Sequence, residues 1–159
     1  MDKAALLTRA EQAIAAAKKA GADAADVLAV NSTDISASMR NGKPESIEQA
    51  ESAGIGLRVF VGDASAMLST SDMTAEALNK LAEQAVAIAK AAPADPFAKL
   101  ADAALLAKHI PTLDADTHVP DITMLQTLAR EAEAAGLAVS GITNSEGGDA
   151  SASTHQLTL

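Results

Sequence analysis

The three histidines are the first residues to test for chemistry, because a catalytic zinc site needs three convergent nitrogen or oxygen ligands and an open position. None of His109, His118 and His155 has a second histidine at helical spacing with an adjacent glutamate. The sequence therefore lacks a zincin motif. We assign no catalytic, metal-binding or cofactor-binding residue to the chain, and we expect no cofactor in it.

Potential metal ligands do gather in one segment, where His109 and His118 flank Asp114 and Asp116. If this loop folded back, two imidazoles and two carboxylates would approach one another and could hold a metal. The alternative is a solvated acidic linker. We favour the linker, because prolines bracket the segment.

Two further motifs resemble ligand sites. Residues 69–72, Ser-Thr-Ser-Asp, precede a predicted helix, whose first N–H groups can bind an anion or be capped by these side chains. We favour capping. Gly54-x-Gly56 copies part of a dinucleotide-binding fingerprint, but it opens a strand and lacks the third glycine. We expect no nucleotide site there.

Two segments are candidates for contact with a peptide. Residues 144–148, Asn-Ser-Glu-Gly-Gly, form either a peptide-facing surface or, as we favour, a hairpin turn that uses glycine's backbone freedom. The polar residues 43–52 read as an exposed or edge strand. Such an edge can accept an extended peptide by strand addition.

Hydrophobic periodicity places these candidates on helices and strands. A period of 3.6 predicts helices over residues 3–20, 75–91 and 122–135, with Asp2, Thr74 and Asp121 as their caps. The predicted apolar faces are Leu6, Ala10, Ile14 and Ala17 in the first helix, Leu78, Leu81, Ala85 and Ile88 in the second, and Leu125, Leu128 and Ala132 in the third.

Period-two alternation predicts strands over residues 27–40, 43–52, 55–61 and 64–70. Turns at Asn41-Gly42 and Gly62-Asp63 join them, with Leu57 opposite Leu68 and Val59 opposite Ala66. The predicted fold class is α+β, a four-stranded antiparallel meander with helices packed on one face. A linker, a helix and a β-hairpin of residues 137–143 and 151–159 follow it.

The prolines at 93, 96, 111 and 120 interrupt both periodicities and suggest a division of the chain. We predict an amino-terminal α+β domain over residues 1–108 and an acidic, proline-containing linker over 109–120. Residues 121–159 are then the beginning of a second, truncated unit. Its final strand is expected to leave backbone groups unpaired.

Composition narrows the function classes. Twelve basic residues face 21 acidic ones, giving a formal net charge of −9, which disfavours direct binding to nucleic acid or to an anionic membrane. The absence of cysteine excludes disulfides and thiol catalysis. No stretch is apolar enough to be a signal-peptide core or a membrane span, so we expect a cytoplasmic protein.

Several stretches resemble, in their order and spacing, the amino-terminal region of the TldD/PmbA family, and they are closer to its PmbA (TldE) branch. The stretches are residues 54–61 (GIGLRVFV), 69–78 (STSDMTAEAL), 94–96 (ADP), 100–102 (LAD), 105–107 (LLA), 111–114 (PTLD) and 142–148 (ITNSEGG).

The resemblance implies a part in a two-subunit bacterial zinc metallopeptidase, a family also labelled modulator of DNA gyrase. The TldD branch carries a His-Glu-x-x-x-His-type zinc motif beyond the region represented here, whereas the PmbA branch generally lacks it and pairs with TldD. The pair is associated with the processing of modified peptide precursors and the degradation of antitoxin-like or unfolded peptides.

We therefore expect the amino-terminal region of a non-catalytic, dimer-forming subunit. Its partners would be a TldD-like subunit, a second copy, or both, with peptides as substrates of the complex. Zinc is expected only in the partner or in a downstream region. The alternative is a stand-alone binding or adaptor module of a toxin–antitoxin or gyrase pathway. A third reading places the parent in the TldD branch, with a zinc motif downstream.

Overall fold

A computed structural model of the chain describes residues 2–109, 111–113 and 118–159. Its helices are α1 (Lys3–Ala20), α2 (Ala75–Ala91) and α3 (Ile122–Leu137), with a short 3-10 helix at Ala103–Leu105. Its strands are β1 (Ala24–Arg40), β2 (Lys43–Val61), β3 (Ala64–Thr70) and β4 (Gly148–Thr158). They form one sheet in the order β3-β2-β1-β4, which confirms the α+β class and the four-stranded antiparallel sheet.

The three helices begin where their capping residues predict. The side chains of Asp2, Thr74 and Asp121 accept hydrogen bonds from the third backbone N–H beyond them, at 2.8, 3.3 and 2.8 Å. Gly21 ends α1 with a φ of 101°, a conformation that glycine adopts without strain. The bounds of α1 and α2 match the prediction, and α3 extends beyond residue 135 to Leu137.

Residues 43–61 form one continuous strand, where the sequence analysis predicted two. The sequence changes near residue 53 from polar to apolar, which was interpreted as a break. In the structure the strand continues through this change, and only its burial differs. Residues 43–52 are exposed, while Ile55, Leu57 and Val59 are buried. The register of β2 with β3 is as predicted, with Leu57 opposite Leu68 and Val59 opposite Ala66.

The predicted carboxy-terminal hairpin is wrong. Residues 139–147 contain no strand, and β4 instead joins the sheet beside β1. The glycines at 141 and 147, with φ values of 93° and 123°, allow the turns that carry the chain from α3 to β4. One edge of β4 is therefore paired with β1, and β4 lies at the edge of the sheet.

The described residues divide into two compact units. Unit 1 lies within Met1–Asn31, Ser52–Leu113 and Gln156–Leu159, and unit 2 within Ser32–Glu51 and Asp114–His155. The limits cut through β1 and β2. The division into residues 1–108, 109–120 and 121–159 as folding domains stays a prediction.

Unit 1 holds the main hydrophobic core, in which α1 and α2 pack on the odd-numbered face of β1 and β2. Leu6, Val27, Leu57 and Leu78 are almost fully buried there. Because the chain has no Trp or Tyr, alanines fill much of the helix interface, which lets the helices approach closely. One predicted core residue is wrong: Ile88 is 50% exposed, and the stripe of α2 passes through Ala82, Val86 and Ala89.

Unit 2 packs α3 with residues of β1 and β4. Its buried side chains include Ala37, Met39, Leu125 and Ala129. The predicted face of α3 was wrong at Leu128, which is 44% exposed, and at Ala132, which is exposed. The buried stripe runs instead through Leu125, Ala129 and Glu133, at intervals of four residues.

Among the described residues, no helix is both long and apolar enough to cross a membrane.

Candidate functional site

The β1–β2 turn of unit 2 is held by a carboxylate from α3. Asn41 and Gly42 form this turn with φ values of 51° and 70°, both in the left-handed region. Their backbone N–H groups donate to the two carboxylate oxygens of Glu133, at 2.8 and 2.9 Å. Glu133 is only 4% exposed, and it is the one buried charged residue described.

These two hydrogen bonds also set the ionisation of the group. The bond from the Gly42 N–H, followed by that from Asn41, lowers the pKa of Glu133 below its ordinary value, because both bonds favour the charged form. The site is thus a fixed anion that binds the turn of the same unit. Glu133 was not predicted from the sequence, since a single glutamate on a helix gives no local sign that a distant turn needs an acceptor.

The segment 144–148 packs against the same helix. A Cβ on Gly147 would lie 2.7 Å from the Met39 carbonyl oxygen, and one on Gly148 would lie 2.1 Å from that of Ala129. Both glycines therefore permit close backbone packing. The predicted hairpin turn is wrong, although the requirement for glycine is confirmed at Gly147, where φ is 123°. Glu146 is exposed and lies 3.5 Å from Arg40.

A polar groove crosses the sheet face of unit 2. Ser32 on β1 lies 2.8 Å from Nδ1 of His155 on β4, and Ser153 donates a hydrogen bond to Asp34. The groove has a volume of about 230 Å³ and is lined by Asp34, Ile35, Ser36, Glu48, Ala50, Ser151, Ala152 and Ser153. Its small side chains leave space between carboxylates of neighbouring strands. Period-two alternation predicted a strand over residues 27–40, but not its contacts with β4.

Beside the groove, the first part of β2 has an open edge. Every residue from Lys43 to Ser52 is exposed, as the sequence analysis expected for this segment. The pairing of β2 with β3 covers only Ile55 to Val61. In the part of the chain that the structure describes, no strand therefore lies on the outer side of residues 43–51.

The histidines do not form a zinc centre in the described residues. His155 contacts Ser32, while His109 is exposed, and Asp114 and Asp116 lie outside the described residues. Across residues 2–109, 111–113 and 118–159, no three His, Cys, Asp or Glu side chains converge as metal ligands. The family resemblance implies zinc only in a TldD-type partner or a downstream region, and we derive no chemistry through it here.

The motif at residues 69–72 lies directly before α2, whose N-cap is Thr74. Asp72 accepts a hydrogen bond from the Thr74 N–H at 2.9 Å, and its own N–H donates to the Thr70 hydroxyl at 3.1 Å. The bond from Thr74 lowers the pKa of Asp72, so a negative charge stands before the helix and opposes anion binding. Gly54 and Gly56 lie within β2 and do not join a strand to a helix.

Comparison with known proteins identifies the class. Residues 25–89 match the family model described as PmbA/TldA metallopeptidase domain 1. Residues 25–89 are thus a segment of the TldD/PmbA family, in agreement with the resemblance noted above.

Its similar curated relatives belong to the PmbA branch. The chain is 33% identical over 128 residues to Metalloprotease PmbA of Escherichia coli O157:H7, a match that covers 79% of the chain and 28% of the relative. It is 36% identical over 138 residues to the Metalloprotease PmbA homolog of Haemophilus influenzae, covering 85% of the chain and 30% of the relative. The chain therefore spans less than a third of the length of these relatives.

Solved structures share the fold at lower identity. A crystal structure of a modulator-of-DNA-gyrase protein from Bacteroides thetaiotaomicron aligns with a TM-score of 0.74 and 19% identity, covering 95% of this chain and 39% of that one. TldE from Thermococcus kodakarensis aligns with a TM-score of 0.62 and 15% identity, covering 94% and 34%. These likenesses support the fold and do not by themselves assign a function.

Proposed function

We propose that this chain is the amino-terminal region of a non-catalytic PmbA/TldE-type subunit of a zinc metallopeptidase that acts on peptides. The observation that carries the proposal is the match to PmbA metalloproteases at 33% and 36% identity over most of the chain. The proposed role is to complete the complex and to present peptides, while a TldD-type partner supplies zinc and hydrolysis.

The sequence supports a non-catalytic role. None of the three histidines lies in a His-Glu-x-x-x-His arrangement. Hydrolysis of a peptide by a zinc enzyme needs the metal to activate water and a base to take its proton. The paired motif that supplies both functions on one helix is not encoded in these 159 residues.

The test compares the chain alone, the full gene product that contains it, and that product mixed with the TldD-type subunit of the same organism. We expect the mixture to cleave an unfolded polypeptide and to elute as one complex. The chain alone should cleave nothing and retain no zinc after dialysis. Metal content and peptide products are measured by mass spectrometry.

Two results would contradict the proposal. Stoichiometric zinc in the dialysed chain, lost on His109→Ala or His118→Ala, would mean that the linker cluster is a metal site. A full gene product that forms no complex and changes no cleavage would instead favour the stand-alone adaptor.

A further inference from the structure

The outer edge of β2 is an unusually accessible backbone surface. The residues from Lys43 to Glu51 are all exposed, and β3 begins to pair with β2 only at Ile55. An unpaired strand edge presents N–H and C=O groups that can hydrogen-bond to another extended chain. Pro44, which has no N–H, lies near the turn, so the part of the edge best suited to pairing is 45–51.

The charged residues between 45 and 51 are all acidic, and most lack a cationic partner. Glu45 lies 3.7 Å from Arg40, whereas Glu48 and Glu51 have no cationic partner among the described residues. The neighbouring groove adds the carboxylate of Asp34, which takes part in a hydrogen bond with Ser153. An incoming chain would therefore meet negative charge on this side of unit 2.

This charge pattern argues against a second copy as the occupant. If two such edges paired antiparallel about Glu48, the two Glu48 residues would face each other. Each Glu45 would then oppose a Glu51 of the other copy. Like charges directly opposite one another destabilise strand pairing, so self-association through this edge is disfavoured.

We infer that the edge of β2 between Glu45 and Glu51 binds an extended basic segment of a polypeptide by strand addition. Main-chain hydrogen bonds provide the contact. Basic side chains on one face of the added strand approach Glu48 and the groove beside Asp34, and those on the other face approach Glu51, because successive side chains of a strand point to opposite faces. The groove volume of about 230 Å³, lined by serines and alanines, leaves room for a long cationic side chain. The inference concerns binding by this chain alone and does not depend on the proposed peptidase role.

The experiment uses three fluorescently labelled nonapeptides and the purified chain. The first repeats Lys-Lys-Thr three times, so that an extended strand carries lysines on both faces. The second replaces each lysine by glutamate, and the third carries N-methyl groups on its five central amides but keeps the lysines. We expect saturable anisotropy binding for the first peptide only, with affinity that falls as salt is added. Isotope-edited infrared spectra of the bound peptide should show an extended strand.

A charge variant locates the site. Glu48→Gln with Glu51→Gln should weaken binding of the lysine peptide roughly fivefold, as expected for two exposed ion pairs. The matched control, Glu83→Gln with Glu131→Gln, removes the same charge from exposed positions on α2 and α3 and should leave the affinity unchanged. Circular dichroism and melting temperatures check that both variants fold like the parent.

Several outcomes would overturn the inference. Equal binding of the N-methylated peptide would mean that charge alone attracts the ligand, without strand pairing. Equal weakening in both charge variants would place the contact elsewhere. The absence of saturable binding, or a dimer in sedimentation experiments that is lost in the Glu48/Glu51 variant, would exclude the basic segment as occupant.

Discussion

Gly148 lies directly against the backbone of Ala129, so closely that a Cβ on the glycine would stand 2.1 Å from the Ala129 carbonyl oxygen. The same Cβ would lie 3.0 Å from the backbone nitrogen of Glu133. The first residue of β4 is thus packed onto the middle of α3. The contact explains why this junction needs a residue without a side chain.

Replacement of Gly148 by alanine is expected to destabilise the protein by about 1–3 kcal/mol, because backbone atoms must move to admit the methyl group. The measurement is urea denaturation followed by circular dichroism. Gly136→Ala is the matched control. It lies in α3 with no atom within 4 Å of the added Cβ, so alanine should stabilise the helix by about 0.5–1 kcal/mol. Equal effects of the two substitutions would contradict the packing argument.

Glu133 is expected to make stability depend on pH. Its folded-state pKa lies below the ordinary value of 4.5, so its contribution is complete above that pH and is lost as pH falls through the folded-state pKa. Glu133→Gln removes the charge, and its amide group suits only one of the two N–H donors. We expect a lower melting temperature at pH 7 and a smaller loss of stability than in the parent as the pH falls below 4.5.

The control for this prediction is Glu131→Gln. It removes a charge from an exposed position of α3, two residues before Glu133. It should leave the pH dependence close to that of the parent protein. If Glu133→Gln and the parent lose stability in parallel as the pH falls, the carboxylate does not hold the turn.

The stability of unit 1 is expected to depend on the large aliphatic side chains that its strands bury. Leu57 is 0% exposed, so Leu57→Ala should lower the free energy of unfolding by about 2–5 kcal/mol. Ile47→Ala is the comparison in the same strand, since Ile47 is 54% exposed and should change stability by less than about 0.5 kcal/mol. A comparable loss at both positions would mean that the polar part of β2 is covered in solution.

Hydrogen exchange tests the predicted division of the chain. Only Gly148 is buried in β4, whereas four of the seven residues 55–61 are buried. We expect amides of residues 149–155 to exchange faster than those of residues 55–61, because few apolar contacts oppose local opening of β4. Equal protection of both segments would indicate one cooperative domain and would remove the boundary within residues 109–120.

The helices were predictable because their signals are local. The side chains of Asp2, Thr74 and Asp121 each accept a hydrogen bond from the backbone N–H three residues further on, so a short stretch of sequence is enough to locate the start of each helix. The hairpins at Asn41-Gly42 and Gly62-Asp63 were equally local. The pairing of β4 with β1 was not, because residues 148–158 are mostly small and polar and fit several partners.

The contact between Glu133 and the Asn41-Gly42 turn was also not predictable from local sequence. The face of α3 was assigned from leucines, but Glu133 replaces an apolar residue in the buried stripe because the Asn41-Gly42 turn provides two donors. That compensation is visible only when residues 92 and 91 positions apart are brought together. The spacing Leu125, Ala129, Glu133, followed by Gly147-Gly148, was the available signal for a closely packed helix face.

The core without Trp or Tyr has a spectroscopic consequence, since the two phenylalanines leave the protein almost transparent near 280 nm and without useful intrinsic fluorescence. Concentrations have to come from peptide-bond absorbance or amino-acid analysis, and contaminating proteins will dominate any ordinary absorbance reading. The lack of intrinsic fluorescence is also an advantage. One tryptophan introduced at the exposed position of Ile47 would be the only indole in the protein, and its emission maximum would report whatever binds to that strand.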